Sequence, residues 1–276
     1  MGQGIARNIL RAGLDLRIWN RTRDKAAGLT ELGAYVAADP ADAVLGADLI
    51  VTMLFDADSI ADVVGPLTTG LSGDAIWVQM STVGVDGCDR LAELAEGLGL
   101  TFVDAPVLGS KKQAEDGALT VLASGPDRVR DRCAPLFDAV GGRTLWVGEA
   151  GAGSRLKLVA NAWVLSVLEG IAESVTLAQA LGLDPRLFLR AIEGGAMDAP
   201  YVKLKGTAMI ESQYDVAFSV DGAAKDAGLI LAAGHSAGVD MDFAAVAGKR
   251  LEEAAAAGHG DLDMAAIFLA DRRTSG

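Results

Sequence analysis

Two short apolar runs, Leu49-Ile-Val-Thr-Met-Leu54 and Ile76-Trp-Val-Gln-Met80, enclose a segment with helical periodicity at Ser59–Val64. Apolar runs of this length that are rich in β-forming residues indicate strands. A strand that is followed by a helix and then by another strand is the repeating unit of a mostly parallel, doubly wound sheet. This stretch therefore predicts an α/β domain.

The same alternation extends on both sides of this stretch and then stops. Further predicted strands are Leu16–Trp19, Thr101–Val103, Thr120–Ala123 and Thr144–Val147, and further predicted helices are Asp24–Leu32, Pro40–Leu45 and Asp86–Leu98. After a glycine-rich segment at 148–153, only helical periodicity follows, at Ser154–Leu181, Pro185–Glu193, Ala223–Ala233 and Phe243–Ala257. The sequence predicts a Rossmann domain over residues 1–150 and an all-α domain over residues 151–276.

The composition argues against several classes of function. A net charge of −13 repels nucleic-acid phosphates. We find no apolar run near the roughly 20 residues that span a bilayer and no basic, then apolar leader, so we expect a cytoplasmic protein without a membrane partner. Cys88 and Cys133 belong to no CxxC pair, and His235 and His259 have no metal-ligand spacing. We expect reduced thiols and no metal.

The end of the first predicted strand, Asn20-Arg21-Thr22, lies about where a dinucleotide-binding domain reads the adenosine ribose. An acidic residue there would bind the 2′-hydroxyl of NAD. Instead, this sequence offers a guanidinium and a hydroxyl, which suit a 2′-phosphate. We expect NADP(H) to be preferred over NAD(H). In the alternative interpretation the segment is a solvated turn with Thr22 as the N-cap of a helix, and both can hold at once.

A polar loop and a polar helix face carry the candidate chemistry. The segment Asp104–Gly117 leaves a predicted strand at a proline and a glycine, where α/β enzymes place substrate-contacting backbone. Lys157 and Asn161 are four residues apart, so they share one face of a helix. A lysine held among apolar neighbours is suited to give a proton to a carbonyl that accepts a hydride.

Three motifs together resemble those of the β-hydroxyacid dehydrogenase family, and more closely its branch of glyoxylate and succinic-semialdehyde reductases. The motifs are Asp104-Ala-Pro-Val-Leu-Gly-Ser-Lys-Lys-Gln-Ala-Glu-Asp-Gly117, Lys157-Leu-Val-Ala-Asn161 and Phe218-Ser-Val-Asp-Gly-Ala-Ala-Lys225-Asp226. The resemblance covers nearly the whole chain. It implies an NAD(P)-dependent oxidoreductase that interconverts a small hydroxyacid or alcohol and its aldehyde or keto form.

The resemblance also implies a role for individual residues. Lys157 would be the general acid in reduction and the base in oxidation, and Asn161 would orient the substrate or the lysine. Gly2 would be the last glycine of the dinucleotide motif. The other implied cofactor contacts are Met53, Leu54, Thr82 and Lys225. Asp226 would support the lysine network, and Phe218 would line the substrate pocket. The alternative role for Ser81-Thr82 is that of a helix cap. The alternative for Asp226 is a charge pair on a helix that has no part in function.

The chain departs from the family pattern at two places. Leu108 stands where the family usually has a serine that, with the amide of the following glycine, binds the substrate carboxylate. The Gly109 N–H, Ser110 and Lys111 remain as possible anion contacts, or the substrate is less polar. The first strand and the first two glycines of the dinucleotide motif are also missing from the printed sequence. Either the start codon is assigned late, or the chain lacks them and binds its cofactor weakly.

Two other functions stay open at this point. An imine reductase would share the fold and the Asn-Arg-Thr element, but that group typically lacks a lysine at the position of Lys157. A non-catalytic dehydrogenase-fold module is favoured by Leu108 and opposed by Lys157 and Asn161. The apolar helix Ser154–Leu181 favours a homodimer or a larger homo-oligomer, because a dimer buries it more naturally.

Overall fold

The computed structural model describes residues 1–67 and 70–270, and the chain divides into two compact units, Met1–Lys157 and Leu158–Gly276. The elements of the first unit, in chain order, are α1 (Gly2–Arg11), β1 (Arg17–Ile18), α2 (Asp24–Ala27), β2 (Tyr35–Val36), α3 (Pro40–Val44), β3 (Leu49–Thr52), α4 (Ala57–Val64), β4 (Ile76–Gln79), α5 (Gly84–Gly97), β5 (Thr101–Asp104), β6 (Val107–Leu108), α6 (Lys111–Glu115), β7 (Leu119–Ala123), α7 (Arg130–Val140) and β8 (Gly141–Trp146).

The strands pair mostly in parallel, as predicted. β1 pairs with β2, and β3, β4 and β5 form a second parallel set in that order. β7 pairs in parallel with β8 and antiparallel with β6. The prediction of a Rossmann domain is confirmed. Among the described residues no strand pairs with both β1 and β3, which is the position of the first strand in a doubly wound sheet.

Alternating residues of β4 pack against helices on both faces of this sheet. Ile76, Val78 and Met80 belong to one buried cluster, which also includes α1 and α7. Trp77, between them, belongs to the other cluster with α4 and α5. These side chains of β4, and Met80 directly after it, are fully or almost fully buried. A strand that is buried on both faces has a nearly continuous apolar sequence, and the sequence of β4 shows this pattern.

The second unit contains only helices as regular elements of its described part. They are most of α8 (Ala152–Ala180), whose start belongs to the first unit, and α9 (Arg186–Ile192), α10 (Pro200–Glu211), α11 (Val220–Ser236) and α12 (Asp242–Ala254). The prediction of an all-α second domain is confirmed. A π-helical turn at Ala255–His259 and a 3₁₀ turn at Met264–Leu269 follow α12.

Helix α8 corrects one expectation from the sequence. Among the described residues it is long and apolar enough to cross a membrane by length and composition alone. The expectation that no segment reaches this length was therefore wrong. Within its most apolar window, 44% of the residues are buried inside the protein. The core helix of a soluble protein meets the same criterion, so α8 by itself is weak support for a membrane span.

Several local elements differ from the sequence prediction, which did not include β2, β6 or α7. The helix predicted at Asp24–Leu32 is α2, followed by a separate 3₁₀ turn at Thr30–Leu32. The loop after Gly109 contains the short helix α6, which starts with a capping box: Ser110 accepts from the Gln113 amide, and the Gln113 side chain accepts from the Ser110 amide. Helix α10 was not predicted, because Gly206 in its middle lowers helix propensity. That glycine lets Leu189 approach closely, since a Cβ there would lie 2.8 Å from Leu189 Cδ2.

Candidate active site

The carboxyl ends of β3 and β4 meet through a side-chain hydrogen bond. The Leu54 amide donates to Ser81 Oγ over 2.8 Å. Ser81 therefore joins two loops and does not cap α5, whose first turn has no side-chain cap. A Cβ built at Gly2 would lie 3.8 Å from Met53 Cγ, so the start of α1 lies beside the same loop. Predicted cofactor contacts from three segments are thus neighbours in the first unit.

The N-terminus of α1 is suited to a pyrophosphate. No side chain caps its first turn, and the helix dipole places partial positive charge there. The space beside Gly2 is open, because a Cβ there would meet only the Met53 side chain within 4 Å. The residues present therefore fit a dinucleotide whose pyrophosphate lies at this helix end.

The segment Asn20-Arg21-Thr22 forms an ordered turn after β1. Asn20 Nδ2 donates to the Thr22 carbonyl over 2.7 Å, and the Arg21 side chain is exposed. The N-cap position of α2 is Arg23, and no side chain caps that helix. The alternative interpretation of Thr22 as a helix N-cap is therefore wrong. Arg21 and the Thr22 hydroxyl remain the candidates for phosphate binding.

Lys157 is held by the backbone of the loop that was singled out in the sequence. Its Nζ donates to the Val107 carbonyl over 2.8 Å, and its side chain is half-buried. Val107 and Leu108 form β6, in which Leu108 pairs with Thr120. The structure thus places Lys157 next to the strand that carries Leu108.

The residues after Leu108 are fixed by packing and by capping. Gly109 has a φ of 138°, a region that favours glycine, and a Cβ there would lie 2.7 Å from Leu119 Cδ2. Ser110 uses its hydroxyl and its amide in the capping box of α6. Of the three predicted anion contacts, the Gly109 backbone and Lys111 are exposed, whereas Ser110 is engaged in capping.

A buried polar cluster fixes the start of α8, and the sequence had not assigned it a role. Asp104, which is fully buried, accepts from the Ser154 amide over 2.6 Å and from Ser154 Oγ over 2.8 Å. The Gly153 amide donates to Ser124 Oγ over 2.9 Å. Burial raises the pKa of Asp104, and the hydrogen bonds from Ser154 and Ser124 oppose that rise. The sequence signals for this cluster were a carboxyl residue at the end of a predicted strand and a serine at the start of a predicted helix.

In the second unit, three of the predicted residues contact one another. Asn161 Nδ2 donates to Asp226 Oδ2 over 2.7 Å, and Lys225 Nζ lies 3.0 Å from Asp226 Oδ1. Asp226 is 2% exposed and Asn161 is 8% exposed. The bond between Asn161 and Asp226 joins α8 to α11. The Asp226 carboxylate therefore holds an amide and an ammonium group in fixed positions.

A buried ion pair fixes the loop that carries Phe218, and sequence reasoning missed it. Lys205 Nζ lies 2.6 Å from Asp263 Oδ1. The Asp263 carboxylate also accepts from the backbone amides of Ala217 and Phe218. Phe218 itself is 38% exposed. The two partners are 58 residues apart, and nothing in the sequence pattern joins them.

The cysteines and histidines show no sign of metal chemistry in residues 1–67 and 70–270. Over these residues no group of three or more histidine, cysteine, aspartate or glutamate side chains is arranged to hold a metal ion. Both cysteines are free and buried. Burial raises the pKa of the Cys133 thiol to about 11 and that of Cys88 further. Both are therefore thiols at neutral pH.

Two family models match almost the whole chain. The NAD-binding domain of 6-phosphogluconate dehydrogenase matches residues 1–148, and the NAD-binding domain of NADP-dependent 3-hydroxyisobutyrate dehydrogenase matches residues 151–270. The chain belongs to the β-hydroxyacid dehydrogenase family. As a family member it is an NAD(P)-dependent oxidoreductase with a nicotinamide dinucleotide as its cofactor.

Individual relatives agree with this assignment to the β-hydroxyacid dehydrogenases. The glyoxylate/succinic semialdehyde reductase 2 of Arabidopsis thaliana is 35% identical over 97% of this chain and 76% of its own. A 3-hydroxyisobutyrate dehydrogenase of Mycobacterium tuberculosis, solved with L-serine, superposes with a TM-score of 0.88 at 26% identity, over 99% of this chain and 96% of that one. An imine reductase from Pseudomonas sp. superposes with a TM-score of 0.63 at 24% identity, over 98% of this chain and 95% of that one. It shares the fold.

Proposed function

We propose that the protein is an NADP(H)-preferring reductase that converts a small aldehyde or keto acid into the corresponding alcohol or hydroxyacid. The observation that carries the proposal is the placement of Lys157, whose ammonium group donates to the Val107 carbonyl beside the predicted substrate loop. A bound nicotinamide supplies the hydride and takes it back in the reverse direction. The protein must supply a proton and hold the carbonyl in position.

Lys157 is the residue that we assign to proton transfer. When a carbonyl carbon accepts a hydride, negative charge develops on its oxygen, and a nearby acid lowers the barrier by giving it a proton. The Val107 carbonyl accepts only one of the three protons of an ammonium group. The balance of the reaction is one hydride and one proton added across the C=O bond.

Asn161 lies one turn after Lys157 on the same helix, and we assign it a substrate-orienting role. Its Nδ2 is engaged by Asp226, so the orientation of its amide is fixed. The side-chain oxygen is then directed away from that carboxylate and is able to accept a hydrogen bond. Lys225, held by the other oxygen of Asp226, is the proposed cofactor contact of the second unit, and Phe218 is the proposed wall of the substrate pocket.

The preference for NADP(H) rests on the turn after β1. Arg21 is exposed there, and the turn is held by Asn20. A guanidinium that binds the 2′-phosphate contributes about 1.5–3 kcal/mol, because one partner of the hydrogen bond is charged. We expect Arg21→Ala to raise the dissociation constant of NADPH by about 10- to 100-fold and to leave that of NADH unchanged. Titration of intrinsic tryptophan fluorescence with each cofactor measures both.

The control for this prediction is Arg132→Ala. Arg132 contacts Asp74, which lies just before the amino end of β4, opposite the edge where the cofactor is proposed to bind. This variant should bind both cofactors as the wild type does. Equal weakening of NADPH and NADH binding by Arg21→Ala would contradict a 2′-phosphate contact.

The substrate is proposed from the relatives and from Leu108. The Arabidopsis relative is named for glyoxylate and succinic semialdehyde, so small aldehydes with a carboxylate are the first candidates. Leu108 is half-buried on β6 and offers no hydrogen bond. We therefore expect carboxylate recognition to depend on the Gly109 backbone, and a longer, less polar aldehyde to be accepted better than glyoxylate.

NADPH oxidation by the purified protein tests this function. Glyoxylate, succinic semialdehyde and an aliphatic aldehyde would be compared with a cyclic imine at equal concentrations. The proposal predicts turnover of at least one carbonyl compound and none of the imine. Turnover of the imine alone would support the imine reductase alternative, which is favoured by the shared fold and by the Asn-Arg-Thr element. No turnover of any compound with NADPH bound would support a non-catalytic module.

We propose that the boundary between cofactor-binding and helical parts lies near residue 150, that the protein acts in the cytoplasm, and that it forms a homodimer or a larger homo-oligomer. Homo-oligomer formation is supported by exposed apolar residues on α8, namely Val159, Trp163 and Leu177. The mass of the native assembly in solution tests it.

A further inference from the structure

We propose that Asp104 is a positioning residue for Lys157. This inference rests on the proposed function, because it assumes that Lys157 is the proton donor. Asp104 is the last residue of β5 and is fully buried. A buried carboxylate is costly unless hydrogen bonds satisfy it. Here the donors are Ser154, in the first turn of the helix that carries the lysine, together with Ser124 and the Cys88 thiol.

The carboxylate fixes the start of α8 at two atoms. Oδ2 accepts from the Ser154 amide over 2.6 Å, and Oδ1 accepts from the Ser154 hydroxyl over 2.8 Å. Two acceptor atoms on one residue set both the position and the rotation of that first turn. Negative charge at a helix N-terminus is also favoured by the helix dipole. Lys157 follows Ser154 by three residues, so it lies on the next turn.

The neighbouring residues make this attachment rigid. Asp104 and Ser124 exchange backbone hydrogen bonds of 3.0 and 2.8 Å, and Ser124 Oγ accepts from the Gly153 amide. Gly153 permits the contact, because a Cβ there would lie 2.3 Å from the Leu122 carbonyl oxygen and 3.0 Å from that of Asp104. The helix start is therefore in direct contact with the ends of two strands.

Asp104 also fixes the acceptor of the lysine. Val107 follows Asp104 by three residues, and its carbonyl accepts from Lys157 Nζ over 2.8 Å. Asp104 is thus linked to Lys157 in two ways. Its hydrogen bonds with Ser154 hold the helix that carries the lysine, and the short chain segment from Asp104 to Val107 carries the carbonyl that accepts from the ammonium group. A shift of about 1 Å at a reacting group lowers the rate by about 100-fold. Loss of this attachment should therefore slow proton transfer more than it weakens binding.

The test uses Asp104→Ala, Asp104→Asn and Ser154→Ala in the full chain, with Lys157→Ala beside them. We expect Asp104→Ala to lower kcat by about 10- to 100-fold, with KM and the NADPH dissociation constant within about threefold of wild type. Asp104→Asn keeps an acceptor for the Ser154 amide and should recover most of kcat. Ser154→Ala should lower kcat by a smaller factor, and it keeps the test open if Asp104→Ala does not fold.

The matched control is Asp89→Ala, which removes an exposed ion pair with Arg155 on the same turn of α8. It should leave kcat unchanged. If all variants are normalised to the folded fraction and Asp104→Ala and Ser154→Ala keep wild-type kcat, the inference is wrong. The inference is also wrong if Asp104→Ala and Asp104→Asn lose kcat to the same extent and that loss only follows their loss of thermal stability. Lys157→Ala distinguishes failure of this inference from failure of the proposed function. If this variant turns over substrate as the wild type does, the proposed function itself is wrong.

Discussion

Lys157→Ala should lower kcat by about 100- to 10,000-fold, which is the range for loss of a positioned general acid. NADPH binding should be nearly unchanged, because the proposed cofactor contacts of the first unit lie on α1, on the turn after β1 and on the loops after β3 and β4. The NADPH dissociation constant is therefore the first check, by fluorescence titration. Aldehyde-dependent NADPH oxidation under saturating cofactor then gives kcat.

The control for this variant is Lys249→Ala. Lys249 is an exposed lysine on α12 that lies 3.9 Å from Glu253, and its loss changes the net charge of the protein by the same amount. We expect wild-type kcat from it. If Lys157→Ala retains more than about a tenth of wild-type kcat, the ammonium group is not the acid of the reaction.

Lys205→Met should be the most destabilising of the substitutions considered. It leaves the Asp263 carboxylate buried without its cation, and breaking a buried ion pair at one partner costs about 3–5 kcal/mol. The apolar stem that replaces the lysine keeps most of its packing. We expect the midpoint of thermal unfolding to fall by about 6–15 °C, as measured by circular dichroism.

Lys203→Met is the matched control on the same helix. The Lys203 side chain is 45% exposed, and it contacts the exposed Glu193 and the more buried Asp198 at 3.2 Å each. Ion pairs of a solvent-exposed lysine contribute about 0–1 kcal/mol, so the unfolding midpoint should fall by less than about 4 °C. Similar losses from both variants would show that burial of the Lys205–Asp263 pair is not what stabilises this part of the second unit.

The sequence predicted the elements whose patterns are local. β4 and β5 are apolar runs buried on both faces, and α8 is a long, apolar-rich helix without proline, so each was recognisable from its own residues. Helix α6 could also have been found, because Ser110 and Gln113 have the spacing of a capping box.

The missed features depend on contacts between residues far apart in the chain. Asp104 and Ser154 are 50 residues apart, and Lys205 and Asp263 are 58 residues apart. No periodicity joins such pairs, and each residue alone looks like an ordinary polar residue at the end of an element. The link between Asn161 and Asp226 is similar: both were singled out by resemblance, but only the fold brings the amide and the carboxylate within 2.7 Å.

The most direct test of the account is transfer of a labelled hydride. The wild-type protein would be incubated with succinic semialdehyde and NADPH deuterated at its transferable position, and the product would be analysed by mass spectrometry. The account predicts the corresponding hydroxyacid with one deuterium on the former carbonyl carbon, and with Lys157→Ala only a small fraction of that yield. Consumption of NADPH without deuterium in the product, or equal labelled yield from Lys157→Ala, would contradict it.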